Sequence, residues 1–499
     1  MKMDQIESLQ SSGLAVSAAD RALVLCAQAR ELEEIGKYED ARVVLSEFWQ
    51  RIGDRPKVDS LGESTRAELL LRVGTLSGWL GSARQIPGAQ EIAKDLITQS
   101  SALFEKLELV EKVAEAHVDL GICYWREGAL DEARITFDAA LDRLGEIESQ
   151  QRLRALLNKA LIEEVSSRSA EALRIFSKAE PLFEASSNHA LKGKFHNEFG
   201  TALKNAGLAE RREDYIDRSL MQYTAAGVEL EQSGHQQALA VVENNLGFLF
   251  AHLGKFDEAH QHLDRALAMA ARLDDKGFTA QFEDTRARAF LAEGRLNQAE
   301  KVAKAAVKGF REGDEQSNLA AALTTNATVL ARLGRQSEAL AMLNEAVNIS
   351  AQAGDPEKGG VASLTTIEEL SAILSPSEML AHYEGAESAL KNSQHAAIRL
   401  RLGECARTVL ANGRSTPAAE GAPAEVLSMN GSLDENVLRY EGELIRQALK
   451  TADGSVTRAA RLLGVTHQGL AFILNGRQKN LLSSRKPAKP RRRSIIRYH

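Results

Sequence analysis

Leu246-Gly-Phe-Leu-Phe250, followed by Gly254-Lys-Phe256-Asp-Glu-Ala259, Leu263 and Ala266-Leu267, is the phrase whose recurrence decides the fold. Its other full copy is Leu120-Gly-Ile-Cys-Tyr124, Gly128-Ala-Leu130-Asp-Glu-Ala133, Phe137 and Ala140-Leu141. Sparser copies run through Ala287, Phe290, Gly294, Leu296, Ala299 and Ala306, then through Ala327, Leu330, Gly334, Ala339, Leu343 and Ala346. Gly36-Lys-Tyr38-Glu-Asp-Ala41 opens the series, and Gly254, Gly294 and Gly334 follow one another at steps of 40 residues. A fixed period of this length marks a stack of supersecondary units, each unable to bury its apolar face alone. Each unit spells helix, turn, helix. The Gly supplies the left-handed residue that ends the first helix, the aromatic or Leu two residues on packs the corner, and the Ala three beyond it lets the second helix press close.

The phrase resembles the tetratricopeptide repeat, whose unit is about 34 residues. The longer step here implies extended helices. Copies near residues 82, 168 and 208 are degenerate, Arg168-Ser-Ala-Glu-Ala172 and Gly207-Leu-Ala-Glu210 keeping little beyond the spacing. About eight units fill residues 1–350, and residues 351–411 continue the helical pattern as a cap, broken at Gly354-Asp-Pro356, Ser375-Pro376 and Asn392-Ser393. The resemblance implies a concave groove lined by the first helices of the pairs. The positions it places there are Val118, Ile122, Trp125, Arg126, Asn244, Phe248, His252, Asp284, Arg288, Thr328 and Arg332. Among them Arg126, Asn244, His252, Arg288, Thr328 and Arg332 are the candidate partner contacts: an amide offers donor and acceptor together, and a guanidinium forks onto a carboxylate.

A second pattern stands near the end of the chain. Ser455-Val-Thr-Arg-Ala-Ala-Arg-Leu-Leu-Gly464-Val-Thr-His-Gln-Gly-Leu-Ala-Phe-Ile-Leu-Asn475 reads as two short helices about a tight turn. Ser455 and Thr466 are placed to cap them, Gly464 to end the first, and Ala459, Ala460, Leu463, Val465, Leu470, Ile473 and Leu474 to face inward. The stretch resembles the Fis-type helix-turn-helix of bacterial regulators, with a longer helix bearing Leu438, Leu444, Ile445, Ala448 and Leu449 upstream. That resemblance implies a DNA-binding domain over residues 432–476 whose second helix enters the major groove, with Thr466, His467, Gln468 and Gly469 at base edges. Gln468 suits adenine and His467 a guanine or a phosphate. Thr457, Arg458, Arg477 and Lys479 are further candidate DNA contacts. Where the family carries basic or polar residues further along the reading helix, this chain has Ala471 and Phe472. Residues 412–431, rich in Ala, Gly and Pro, read as a flexible linker, and residues 477–499 as a basic tail whose Arg491, Arg492 and Arg493 lie along phosphates.

Charge separates the two patterns. The chain holds 62 Lys and Arg against 69 Asp and Glu, but residues 454–499 hold eleven basic residues and no acidic one, so residues 1–453 carry a net −18 and the end +11. Such asymmetry is the footprint of a nucleic-acid-binding terminus. Nine prolines and few aromatics, with abundant Ala, Leu, Glu and Arg, exclude a strand-rich protein. The expected fold is all-α: a tetratricopeptide-like α-solenoid superhelix followed by a small helix-turn-helix domain.

Three scattered cysteines, Cys26, Cys123 and Cys405, offer neither a disulfide framework nor a metal knuckle, and suit a reducing cytoplasm. No apolar run reaches membrane-spanning length, and no signal peptide opens the chain. His196-Asn-Glu198 and His260-Gln-His262 place their polar groups two apart, on different sides of a helix. Gly354-Asp-Pro-Glu-Lys-Gly359-Gly360 has no Lys followed by Ser or Thr after Gly359, where a phosphate loop requires them. No catalytic residue, cofactor or metal is therefore expected. The chain reads as a cytoplasmic bacterial transcriptional regulator, a homodimer that binds specific double-stranded DNA and takes a protein or peptide in its groove. The alternative is an adaptor whose basic end holds RNA or another polyanion without sequence choice.

Overall fold

The computed structural model describes residues 17–84, 86, 88–166, 168–313, 316–391, 393, 396–413, 433–452, 454–465 and 467–484. Thr466, linker residues 414–431, and Arg491, Arg492 and Arg493 of the tail lie outside the described residues. All regular structure among the described residues is helical, and the chain divides into two compact units, 1–416 and 417–499.

The first unit is a run of antiparallel helix pairs. They are α1 (Ala18–Glu34) with α2 (Tyr38–Val44), α3 (Glu63–Ala83) with α4 (Ala89–Lys106), α5 (Val110–Arg126) with α6 (Leu130–Leu144), and α7 (Gln150–Val165) with α8 (Ser169–Glu184). There follow α9 (His189–Glu210) with α10 (Glu213–Ser233), α11 (Gln236–His252) with α12 (Phe256–Arg272), α13 (Lys276–Glu293) with α14 (Leu296–Glu312), and α15 (Gln316–Arg332) with α16 (Gln336–Ala353). A ninth pair, α17 (Pro356–Leu370) and α18 (Pro376–Leu390), and a single helix α19 (Ala396–Gly413) close the unit. Helix α19 therefore runs through Asn412 and Gly413, two residues into the segment expected to be linker.

The repeat glycines act as the sequence predicts. Gly128, Gly254, Gly294 and Gly334 sit in the turns at φ 79°, 73°, 82° and 80°, a conformation that a Cβ would strain. The corner alanines Ala133, Ala259, Ala299 and Ala339 are wholly buried. The other glycine of the phrase has a different task. A Cβ on Gly247 would lie 2.6 Å from Leu263 Cγ, and one on Gly121 only 2.5 Å from Phe137 Cε1, so these glycines set the closest approach of first helix to second. Caps reinforce the boundaries: Asp275 accepts from the Phe278 N–H at 2.9 Å, and Ser375 with Glu378 forms a capping box ahead of Pro376.

The stack curves back on itself. Helix α19 packs on α17 and α18 and also touches α9. At the other end, a Cβ on Gly36, in the turn after α1, would meet the His235 ring at 2.8 Å and Gln237 Oε1 at 2.9 Å. Both the start and the end of the array thus lean on its middle helices, α9 and α11.

The second unit is smaller. Helices α20 (Leu433–Thr451), α21 (Val456–Leu462) and α22 (His467–Asn475) are followed by a 3-10 turn over Lys479–Ser484. They share a core of Ile445, Ala448, Leu449, Ala459, Ala460, Leu470, Leu474 and Leu481. Leu481 belongs to a segment that the sequence assigned to the basic tail, so the folded module reaches beyond residue 476.

Candidate nucleic-acid interface and partner chamber

In the second unit the turn between α21 and α22 is a Schellman-type stop. Gly464 stands at φ 66°, and the Val465 N–H reaches back to the Ala460 carbonyl at 3.0 Å. Ala460 is buried at the crossing as its size requires. Ser455 occupies the cap position without a side-chain bond to the helix. Three apolar residues expected inside are exposed instead: Val465 in the turn, and Leu438 and Leu444 on α20.

Helix α22 is sharply two-faced. Leu470 and Leu474 are fully buried, which leaves His467, Gln468, Phe472 and Asn475 exposed on the opposite side. Gly469 lies within the same helix, and Thr457, Arg458 and Arg461 are exposed on α21. Phe472 is the signal that the sequence raised only as a departure: its ring is 80% exposed, one helical turn past Gln468.

Arg477 has a different place from the one expected. Its Nε donates to Glu441 at 2.8 Å and its other arm to the second oxygen of the same carboxylate, while neighbouring Gln478 is buried and donates to the Leu438 carbonyl at 2.6 Å. Arg477 therefore ties the end of α22 to α20, and its charge is already matched by an acid. Lys479 is exposed at the start of the 3-10 turn.

In the first unit the concave side holds a chamber of about 430 Å³, lined by the first helices α1, α3, α5, α7, α9, α11 and α13. Its floor is a buried ionic chain. Arg72 of α3 donates to Glu33 of α1 and, at 2.7 Å, to Glu115 of α5, while Arg154 of α7 donates to Asp119 of α5. Arg30 of α1 adds a contact to Glu115 at 3.5 Å. Four successive first helices are thereby joined through charged side chains. Burial raises the Glu33 carboxyl to about 7 against the pull of Arg72. Burial acts the same way on Glu115, but Arg72, Arg30 and Lys112 together hold it down at about 2. Two deeply buried atoms here lack a partner among the described residues, Glu33 Oε1 and Arg72 Nε.

The chamber wall is aromatic and amide-rich. Tyr38 stacks on Trp79 at 4.7 Å, and the Arg126 guanidinium stands 3.5 Å from the Trp79 ring centroid. Trp125, Leu157, Leu161 and Phe278 give it an apolar side, and Gln150, Asn158, Asn197 and Gln237 a polar one. Lys194 of α9 enters between them, meeting the Glu34 carbonyl at 3.3 Å, and burial lowers its amine to about 8. His235 caps α11 by accepting from the Ala238 N–H, and burial lowers it to about 4.

None of the six groove residues read from the sequence lines this chamber. Arg126 backs the wall, donating to the Gly78 carbonyl at 2.9 Å. Asn244 is buried with its Oδ1 lacking a partner among the described residues, His252 is exposed at the end of α11, and Arg288 pairs with Asp284 at 2.7 Å. The Thr328 hydroxyl donates to the Thr324 carbonyl, and Arg332 forks onto Glu369 at 2.9 Å. Val118 is core as well, wholly buried, whereas Ile122 and Trp125 do line the chamber. The histidines of the middle repeats go to separate partners: His260 to Glu293 at 2.9 Å, His262 to Glu243 at 2.7 Å, and buried His196 to Gln222 at 2.6 Å.

With this geometry in view, comparison with known proteins places each unit. Tetratricopeptide-repeat models match residues 93–147 and 238–312, and the model described as bacterial regulatory protein, Fis family, matches residues 439–471. Among solved structures, a Rap protein complexed with Competence and Sporulation Factor is 13% identical with a TM-score of 0.52, covering 78% of this chain and 99% of that one. Yeast Tom70 is 16% identical with a TM-score of 0.43, covering 79% and 83%. The apo quorum sensor NprR from B. thuringiensis is 12% identical with a TM-score of 0.41, covering 68% and 98%. At 13% identity the likeness to the Rap protein is one of fold. No curated protein matches the sequence. Among the described residues no helix is long and apolar enough to cross a membrane.

Proposed function

We propose that this chain, which joins tetratricopeptide repeats to a Fis-family helix-turn-helix, is a sequence-specific, DNA-binding transcriptional regulator controlled by what its body holds. The observation that carries the reading is the two-faced α22. Its apolar side is consumed by the module's own core, while His467 and Gln468 stand exposed on the first turn, where a helix lying in the major groove meets base edges. Gln468 pairs bidentately with adenine, a contact of about 1–3 kcal/mol against the wrong base. Phe472, one turn along, meets a thymine methyl, the apolar feature of the major groove. Arg458, Arg461 and Lys479 serve the phosphates, whereas Arg477, held by Glu441, is a positioning residue.

One module makes a small footprint, so the working form on DNA is a homodimer on two half-sites about 34 Å apart. The body contributes the control. Its chamber is of the size that encloses a compact ligand, roughly 300–1,000 Å³. The Rap neighbour of similar fold is complexed with Competence and Sporulation Factor. The reading is of a cytoplasmic, bacterial protein and assigns no catalysis, cofactor or metal.

Selection from a random duplex pool with the full chain tests it. An enriched motif containing A·T pairs, relaxed at one position per half-site by Gln468→Ala, is expected. Equal retention of single-stranded RNA with no enriched duplex would instead make the basic end a general polyanion holder.

A further inference from the structure

The repeat array ends on an open helix face. Helix α19 turns Ile398, Leu402, Cys405 and Val409 inward, against Leu364, Ile367, Ala386 and Leu390 of α17 and α18. On its other side Leu400 and Leu410 are 44% and 64% exposed, and Gly403, Glu404 and Arg407 are exposed between them. A Cβ on Gly403 would meet nothing within 4 Å. The last unit of a solenoid ordinarily closes the stack with a polar outer face. Two open leucines with a glycine between them make this face one that another helix can approach closely.

The order of the residues identifies that helix. Leu400 and Leu410 lie five positions to either side of Cys405, with Glu404 and Arg407 between them. Turned end for end, the same face offers a leucine to each leucine and an arginine to each glutamate. An antiparallel copy of α19 sets Leu400 against the partner's Leu410 and Glu404 against the partner's Arg407, and each contact occurs twice by symmetry. Gly403 stands beside the centre of such a crossing, where the axes come closest. Among the described residues neither Glu404 nor Arg407 is held in an ion pair within the chain. Leu380, exposed on α18 next to the Met379 that Asn412 of α19 reaches, widens the apolar patch. The length of the following chain suits the same occupant. Helix α19 ends at Gly413 and the DNA-binding module begins at Leu433, and residues 414–432 can span at most about 65 Å. Two modules tethered to neighbouring α19 ends are therefore within reach of half-sites about 34 Å apart.

We propose that the outer face of α19 is the homodimer contact, a second copy of this chain lying antiparallel across Leu400, Gly403, Glu404, Arg407 and Leu410. This deepens the reading of a homodimer on DNA and rests on it for the identity of the occupant, whereas the contact itself needs no DNA. One helix face with its rim lies near the small end of stable interfaces, about 1,000–1,200 Å² in total, so the dimer is reversible and dissociates at roughly micromolar concentration.

Sedimentation velocity of the full chain without DNA, over roughly 0.1–100 μM, tests the contact. The wild type should pass from monomer to dimer as concentration rises. Glu404→Arg sets arginine against the partner's Arg407, and Arg407→Glu sets glutamate against the partner's Glu404, so each variant alone should dimerise about tenfold more weakly or worse. An equimolar mixture of the two variants should recover the dimer, because every arginine then faces a glutamate, and misfolded chains could not be rescued by mixing. A wild type that stays monomeric throughout, a dimer indifferent to both charge changes, or two weakened variants that fail to recover on mixing would overturn the assignment. An enriched duplex motif relaxed by Gln468→Ala would then still uphold the DNA reading. Recovery on mixing beside no enriched duplex would keep the contact and remove that reading.

Discussion

Replacing Arg72 by methionine keeps most of the side chain's volume and removes the one guanidinium on which Glu33 of α1 and Glu115 of α5 converge, with Asp119 3.4 Å away. The side chain is 4% exposed, and those of Glu33, Glu115 and Asp119 are 9%, 2% and 1% exposed, so water cannot take its place. Breaking a buried ion pair by deleting one partner costs about 3–5 kcal/mol. Arg30 and Arg154 keep part of the compensation, which sets the expectation toward the lower end. The three tryptophans, Trp49, Trp79 and Trp125, all lie in the first third of the chain, so their fluorescence in urea reports the region that Arg72 holds together. With a slope of roughly 1–3 kcal/mol per molar urea, the Arg72→Met midpoint should fall by about 1 M or more at pH 8. The deficit should narrow at pH 5, where the carboxylates left without a partner take up protons. A midpoint within about 0.3 M of the wild type at pH 8, or a deficit that grows as pH falls, would refute the claim that charge compensation joins the first helices.

Other consequences follow from single contacts. His235 is lowered from 6.5 to about 4, so the unfolded chain takes up its proton first; stability is full above pH 6.5 and is lost as pH falls toward 4, by about 3 kcal/mol from this group, and His235→Asn, which keeps a capping acceptor, should flatten that part of the urea-midpoint pH profile. Gly121→Ala drives a methyl to 2.5 Å from Phe137 and should destabilise by about 1–2 kcal/mol after the helix-propensity gain. Gly385→Ala in α18 meets nothing within 4 Å and should stabilise by about 0.5–1 kcal/mol, and thermal melts of the two variants moving in the same direction would contradict this. Phe472→Ala should leave the fold intact and weaken preferred-site binding about five- to tenfold, roughly 1 kcal/mol, while binding to random duplex stays unchanged in fluorescence anisotropy.

The architecture was legible because it rests on residues that have no alternative. Gly254 needs its positive φ, and Ala259 and Ala299 need to be small, so the pattern of helix, turn and helix is written in residues that recur. The same logic exposed Gly464 and Ala460 in the terminal module. The chamber was illegible for the converse reason. Its helices α7 and α9 belong to the degenerate copies near residues 168 and 208, and Arg72, Lys194 and His235 face an open space that places no steric demand on a repeat signature. Of the groove positions transferred from the repeat pattern, Arg288 and Arg332 found nearby carboxylates instead. Arg477 looked like a phosphate contact because charge was counted along the chain, and Glu441 stands 36 residues earlier. The helix-turn-helix was read closely at its core, whereas Val465, Leu438 and Leu444, placed inside by periodicity alone, lie on the surface of a module too small to bury them.

Mapping the DNA that the intact chain occupies in living cells addresses the central claim most directly. Discrete sites sharing an inverted repeat, with half-sites one helical turn apart and lost together in a Gln468→Ala strain, are the predicted result. Occupancy that is diffuse, or that follows RNA and survives Gln468→Ala unchanged, would contradict a major-groove reader governed by a ligand-holding superhelix.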